Sequence, residues 1–444
     1  MTRDHVVTLS RLAPGTRYHF RVLSKDEAGQ TAISNDQSFE TAHRIEPAKA
    51  VPGKISTATV INNPASIRKP VLSTGNEILA PPPPPALPTA GKTFVDPTFG
   101  TMILRLTDSR DGRDNHNSYS YWPSFNSNST HVWINCSNAA YLYDFDPVNF
   151  LASNKRPLFQ KLPSGVNAFI EDAIWSSNSA EIIFFHDTMR LWSYNVVTST
   201  YTLIKDFRGP LPPGNLVQMS KSDDDMVFAF TFKDTNYKVT GYVVWNRQTN
   251  LLTRHNRSPL DEVQIDKTGR YLLVKTGQSG NGIVEGQVLD LATGSIEDLI
   301  DNEPDFNPGH SDMGRGFVIG HDNHRNRSLR RELATPHDFT PVFEWLNDWS
   351  QGYHISLLAS DESWMLISTY DGGSHKQPGP FHNEIFQVAT DGSKRVRRLA
   401  HHQSVIRDYW DTPRANISRD GRFIVFTSNW RTQEQRDVFI LKVP

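Results

Sequence analysis

Apolar and polar positions follow one short pattern through most of this chain, clearest near its end. Ala415 and Ile417 alternate with polar neighbours, Ser418-Arg-Asp-Gly421 supplies a tight turn, and Phe423-Ile-Val-Phe426 is a continuous apolar run. Alternation reads as a half-buried strand, and the apolar run bounded by turn residues reads as a fully buried one. Asp tolerates the turn geometry and Gly takes a positive φ without steric cost, so the unit is strand, turn, strand. The same unit recurs upstream with its inner strand starting near Pro123, Asp172, Val217, Val263, His310, His354 and Pro413.

Those starts lie 44–59 residues apart, the length that four short strands and their turns occupy in a propeller blade. Third and fourth strands are legible as Leu191-Trp-Ser-Tyr-Asn with Thr200-Tyr-Thr-Leu-Ile, as Tyr242-Val-Val-Trp-Asn with Asn250-Leu-Leu-Thr, and as Asn383–Ala389 before the turn Thr390-Asp-Gly-Ser. The reading is an all-β, seven-bladed β-propeller over residues 93–444. Its last blade ends at Asp437–Val443 with one strand too few, and Thr98–Thr107 is a spare strand ahead of blade one. Pairing the spare strand with the last blade closes the ring and removes two open sheet edges.

Ahead of the ring the pattern changes twice. Residues 43–92 are rich in Ala, Pro, Ser, Thr and Asn and include Pro81–Pro85, so they read as a stiff linker with polyproline II character. Residues 1–42 alternate like strands at Val6–Leu12, Tyr18–Val22 and Ser38–Thr41, with a turn at Ala28-Gly29. There Leu12-x-Pro14-Gly-Thr16-x-Tyr18-x-x-x-Val22 resembles the fibronectin type III signature, in which the Tyr locks a strand entry. The resemblance covers only part of a seven-stranded module, so these residues are expected to be a partial fibronectin type III fragment. It implies a parent protein with several modules, extracellular or at the cell surface. Met1-Thr-Arg-Asp-His is not a signal peptide, and the chain reads as starting inside a longer protein.

Charge and composition narrow the function classes. Lys+Arg 46 against Asp+Glu 48 leaves a net charge of −2, no footprint for nucleic acid or an anionic membrane. No apolar run is long enough for a helical membrane span. The single cysteine, Cys136, lies in a strand-like run and reads as a buried thiol, which excludes an intrachain disulfide and a Cys-based metal site. Asp223-Asp-Asp225 reads as a solvated turn rather than a calcium site. Gly277–Gly282 is Gly-rich but opens no helix, so it is not read as a phosphate loop.

Candidate chemistry follows from the ring. Inner strands of a propeller run the same way, so the residues just before each gather at one mouth of the channel. The equivalent positions are Tyr119, Tyr121, Trp122, Glu171, Asp172, His310, Asp312, Tyr353, His354, Tyr409, Trp410 and Arg414, with His401 and His402 nearby. His310, His354, Tyr409 and Arg414 are the candidates for catalysis. Tyr121, Trp122, Asp172, His402 and Trp410 are the candidates for ligand binding. Arg can clamp a carboxylate with a bidentate fork, and rings can stack on sugar faces. Each His can equally be a group bonded to channel backbone, Arg414 a partner in an ion pair between blades, and the rings packing. Only one of His401 and His402 can point inward, because neighbours on a strand face opposite ways.

The C-terminal third, through Arg398-Leu-Ala-His-His402, Pro413–Gly421 and Ile424-Val-Phe-Thr-Ser428, resembles the propeller of oligogalacturonate lyases and related TolB (PD40)-type propellers. That resemblance implies a seven-bladed ring, and for the lyases β-elimination on uronic-acid oligomers with a divalent metal and an Arg against the substrate carboxylate. The lyase pattern Gln-x-x-His-x-His falls on Arg407, Trp410 and Thr412, so none of those metal ligands is carried over; the cofactor stays open, with a divalent metal on His310 and His354, and one of His401 and His402 as a third ligand, as the alternative to a base. The leading expectation is a non-catalytic propeller that binds carbohydrate or a protein surface partner. The alternative is a polysaccharide lyase, in which a His or Tyr base removes the proton α to a uronate carboxyl and Arg414 stabilises the developing charge.

Overall fold

The computed structural model describes residues 16–21, 23–25, 31–33, 37–40, 71–73 and 76–444, apart from 138, 277–285, 300–308, 323–324, 346–350, 372–378 and 433. The chain divides into two units, Met1–Asn63 and Pro64–Pro444. In the first, Arg17–Phe20 pairs antiparallel with Gln37–Glu40, and Leu23–Lys25 with Thr31–Ile33. Leu12, Pro14 and Val22 of the fibronectin-like signature lie outside the described residues, as does Gly277–Gly282.

The second unit contains seven antiparallel sheets that follow one another along the chain. Their innermost strands include Phe169–Trp175 in blade 2, Asn215–Lys221 in blade 3, Glu262–Ile265 in blade 4, Asp312–Met313 in blade 5, Gln351–Ser356 in blade 6 and Asn416–Ile417 in blade 7. Each begins within a few residues of the start expected from sequence. Blade 1 differs. Its inner edge is Asn115–His116 plus a bridge from Phe125 to Val132, and residues 117–124 leave the sheet between them.

The turn after the inner strand recurs as a physical unit. Ser129, Asp225, Gly269 and Gly421 all have φ between 58° and 76°, and each donates its N–H to the carbonyl three residues earlier. Gly269 has a further reason to be glycine, because a Cβ there would lie 2.9 Å from the Ser222 Cβ of the neighbouring blade.

Alternation along each strand sends side chains to both faces of a blade, so the core is split into wedges. Seven apolar clusters are found among the described residues, one between each pair of adjacent blades. Closure uses the same rule. Met102–Arg105 pairs with Asp437–Lys442 in the register Ile103↔Leu441, Leu104↔Ile440, Arg105↔Phe439. Ile103 enters the wedge between blades 6 and 7, and Leu104 the wedge between blades 7 and 1. Arg105 adds an ion pair to Asp437 at 2.6 Å. Thr93–Val95 then lies outside as a fifth strand.

The Pro-rich stretch is not a free spacer over its second half. Val71–Ser73 pairs with Val396–Arg398 of blade 6. Further on, Arg398 donates to the Glu77 carbonyl at 2.8 Å, His401 Nε2 lies 2.8 Å from the Leu79 carbonyl, and Trp430 Nε1 donates to the Pro85 carbonyl at 2.9 Å. An extended Pro-rich backbone has no internal hydrogen bonds, so its carbonyls are free to accept from the ring.

Candidate functional site at the channel mouth

The blade 1 excursion decides the geometry of the channel. Asn117 fixes its start, donating to the Arg414 carbonyl at 2.8 Å, while the Ser118 hydroxyl donates to the Trp122 carbonyl at 2.6 Å. From there the segment crosses toward the opposite blades. Trp122 Nε1 donates to the Met219 carbonyl of blade 3 at 3.0 Å. The Tyr121 hydroxyl donates to Glu262 of blade 4, and Lys275, opposite Glu262 in the blade 4 register, forms an ion pair with the same carboxylate.

Above this crossing lies a cavity of about 640 Å³, walled by Tyr119, Tyr121, Trp122, Phe169, Tyr353 and Tyr409 among its rings and by Glu171, Asp261, Glu262, Lys233, Lys275, His310 and His321 among its polar groups. Below it, a chamber of about 100 Å³ shares Tyr121, Trp122 and Glu262 with the upper cavity. Asp223 lines the chamber and bridges blades there, pairing with Arg419 of blade 7 at 2.9 Å and Arg315 of blade 5 at 2.5 Å. Asp225 of the same turn pairs with Lys221 at 2.5 Å. The expected solvated Asp223–Asp225 turn is thus corrected: two of its three carboxylates are fixed in ion pairs.

The predicted site residues divide into three sets. His310, Tyr409, Tyr121 and Trp122 line the cavity. His354, Trp410 and Arg414 stand behind that wall. The His354 ring lies 4.6 Å from His310 and 5.0 Å from Tyr119 by ring centroids. Arg414, 2% exposed, has its guanidinium carbon 5.1 Å from the Tyr409 ring and 4.7 Å from Trp410. Trp410 in turn packs on His116 at 4.5 Å. Among the described residues Arg414 forms no ion pair, so the alternative of a salt bridge between blades is not what holds it.

Asp172 and His402 do not reach the cavity. Asp172 is fully buried, holds His186 Nε2 at 2.9 Å and accepts the Met219 N–H at 2.7 Å. Asp312 does the same between blades 5 and 6, accepting the Leu357 N–H at 2.6 Å. Both tie one blade to the next inner strand. His402 is bonded to backbone through both nitrogens, at the Thr369 carbonyl and the Ser404 N–H. His401, its neighbour, points to the Leu79 carbonyl. For these residues burial with hydrogen bonds inside the ring, rather than ligand contact, explains the side chain.

Electrostatics set the protonation states. Burial pushes His310 down to about 4, helped by the Lys275 charge, and pushes His354 well below the usual imidazole range, with His310 adding to it. Burial raises Tyr409 to about 12 and lifts Tyr119 and Tyr121 well above the ordinary phenol value. The mouth therefore presents neutral imidazoles and neutral phenols at neutral pH. These can donate and accept hydrogen bonds and stack on flat faces, but they are weak proton acceptors from carbon.

Sequence reasoning missed Asp261, Glu262 and Lys275. The rule that found Glu171, residues just before an inner strand, would also have found Asp261 and Glu262 ahead of Val263. Lys275 left no such trace, because its place at the mouth comes from cross-strand register.

No protein-family model matches the sequence, and no curated protein matches it. Solved structures do. Superposition on an oligogalacturonate lyase in complex with manganese gives a TM-score of 0.60 at 11% identity, over 85% of this chain and 98% of the other. The ring has the oligogalacturonate lyase fold. A second oligogalacturonate lyase, from Vibrio parahaemolyticus, gives 0.59 at 11% identity, over 80% and 99%. TolB from Acinetobacter baumannii gives 0.33 at 14% identity, over 64% and 63%.

The lyase likeness raises the question of a metal, and the residues present do not fit one. Where the sequence resemblance sets the lyase metal ligands, Arg407 pairs with Asp411 at 3.1 Å, Trp410 is wedged between His116 and Arg414, and the Thr412 hydroxyl donates to the Tyr409 carbonyl at 2.6 Å. Among the described residues no three His, Cys, Asp or Glu side chains gather closely enough to hold a metal ion.

Proposed function

We propose that this chain is a carbohydrate-binding propeller that holds a short stretch of glycan in the channel mouth without cleaving it. The observation that carries this reading is the cavity itself: about 640 Å³, ringed by six aromatic side chains from three blades and the blade 1 excursion. That volume is in the range of small-ligand sites, and aromatic faces with a few convergent polar groups suit a sugar, which is apolar on its faces and polar at its edges. The low basicity of His310 and His354 and the neutral phenol of Tyr409 support binding over proton abstraction. A protein partner at the same mouth would need to insert a side chain or terminus into it.

The fibronectin-like residues at the start support placing the protein outside the cell or on its surface. No helix among the described residues is long and apolar enough to cross a membrane.

A second reading adds chemistry to the same cavity. The fold likeness to oligogalacturonate lyases favours β-elimination on a uronate glycan, with His310 or Tyr409 as the base. Ultraviolet absorbance of an unsaturated product separates the two, and the binding reading expects none from any uronate polymer.

The test of the first reading is a calorimetric titration of the full chain against a panel of neutral, amino and acidic oligosaccharides. At least one class is expected to bind, and Tyr409→Ala, which removes a half-exposed wall ring, to weaken it tenfold or more with an unchanged melting temperature. Binding that is indifferent to Tyr409→Ala, or absent throughout, contradicts the proposal.

A further inference from the structure

The charges on the cavity wall narrow the ligand class, an inference that rests on the binding reading above. Three carboxylates line the cavity: Glu171 from blade 2, and Asp261 and Glu262 from blade 4. Glu262 is already neutralised by Lys275 and accepts from Tyr121. Glu171 and Asp261 are different, since neither side chain makes a hydrogen bond or ion pair among the described residues. They meet solvent in the cavity but have protein at their backs, and that partial burial lifts both carboxyl groups above their ordinary range. In each case a neighbouring negative charge adds to it, Asp172 for Glu171 and Glu262 for Asp261, and a cation offsets part of it, Arg414 for Glu171 and Lys275 for Asp261. An incoming cation would relieve that penalty, whereas an incoming carboxylate would deepen it.

The cationic side of the site points the same way. Arg414, the group expected to clamp a uronate, is shielded by Tyr409 and Trp410 and is not part of the wall. Lys275 is held by Glu262. That leaves Lys233 as the wall cation outside an ion pair among the described residues.

One buried group lies directly behind the wall. His354 is 1% exposed, and neither ring nitrogen has a hydrogen-bond partner among the described residues. Its imidazole packs on His310 and Tyr119, two rings of the cavity wall. A buried imidazole left with both nitrogens unbonded is costly, but His354 is enclosed by His310, Tyr119 and Tyr370 and is not part of the cavity wall, so the ligand class rests on the wall carboxylates alone.

We infer that the ligand is a glycan carrying protonated primary amines, a glucosamine-type oligomer, whose ammonium groups are received by Glu171 on blade 2 and by Asp261 on blade 4 while Tyr119, Tyr121 and Phe169 pack on the sugar. An ammonium group donates charge-assisted hydrogen bonds to a carboxylate and is favoured beside aromatic faces.

The experiment is calorimetry on the full chain at neutral pH with four tetramers: glucosamine, N-acetylglucosamine, glucose and galacturonate. The glucosamine tetramer is expected to bind at least tenfold more tightly than its N-acetylated counterpart. The double variant Glu171→Gln, Asp261→Asn should erase that preference while keeping the weaker binding of the neutral tetramers. Equal binding of the amine and its acetylated form, a preference for galacturonate, or a preference that survives the double variant overturns the amine inference and leaves the carbohydrate reading standing. Failure of all four to bind counts against both. Should the double variant fold poorly, the wild-type preference is followed against pH and salt instead. It must shrink as pH falls into the raised carboxyl range and as salt rises, and a preference flat in both overturns the inference.

Discussion

Residues at the mouth and behind it look alike in sequence and behave differently in the structure. Arg414 is a buried guanidinium held by rings and by two long hydrogen bonds to backbone, each 3.4 Å. Arg398 is a buried guanidinium held by the Glu384 carboxylate, both side chains fully buried. Replacing a buried cation that has no carboxylate partner with an apolar residue of similar volume is neutral or stabilising, so Arg414→Met should leave the denaturation midpoint unchanged or raise it. Glu384→Ala leaves Arg398 buried and unpaired and should cost about 3–5 kcal/mol in denaturant unfolding.

Asp312 makes a pH prediction at the same scale. Burial holds it at about 7 in the folded chain, above its unfolded value. Its contribution to stability is therefore full below the unfolded pKa of about 4 and is lost as pH rises to about 7. Relative to the parent, Asp312→Asn should be more stable at pH 8 than at pH 4. Urea titrations at the two pH values check the sign, and a difference independent of pH contradicts the assignment. His310, His354, Tyr119 and Tyr409 could be brought together from sequence, because a residue just before an inner strand maps to the mouth. Asp172 obeys the same sequence rule yet turns into a blade contact, and His402, expected only near the mouth, bonds to backbone instead. Which way each side chain points depends on strand phase at its end, and that is not readable without register.

Among the elements, the blade 1 excursion over residues 117–124 carries the most function per residue. It brings Tyr119, Tyr121 and Trp122 into the channel and separates the two cavities there. Trp122 is 7% exposed and packs with the wedge between blades 2 and 3. Trp122→Ala should destabilise by about 3–5 kcal/mol and weaken glycan binding together with stability. Tyr121→Phe removes only a hydroxyl donor and should cost about 1 kcal/mol. From sequence, Pro123 was read as the start of a regular strand with the rings just ahead of it. The positions were right, but the departure from the sheet left no mark, since Asn115–His116 is too short to show a period. The Pro-rich stretch misled in the opposite direction. Its composition says spacer, but its carbonyls receive Arg398, His401 and Trp430, donors that lie more than three hundred residues away in the chain.

For the whole molecule, repetition made the fold legible. Seven similar units bury seven equivalent wedges, and a missing last strand together with a spare first one announced closure. Removing residues 93–107 takes Ile103 and Leu104 from two wedges at once, exposes the Asp437–Lys442 edge and leaves Asp437 without Arg105. The truncated chain should lose cooperative thermal unfolding altogether, and an unchanged melting curve contradicts closure. What the ring alone could not disclose is the sign of charge at its mouth, because that depends on which cations are covered and which carboxylates are already paired.

Hydrogen exchange on the full chain, with and without saturating glucosamine tetramer, tests the account most directly. The account predicts that Tyr119–Trp122, Gly309–His310 and Tyr409–Arg414, from three blades and far apart in sequence, gain protection together while the outer strands stay unchanged. Protection confined to one of these segments, or appearing only on the outer strands, contradicts a ligand seated in the channel mouth.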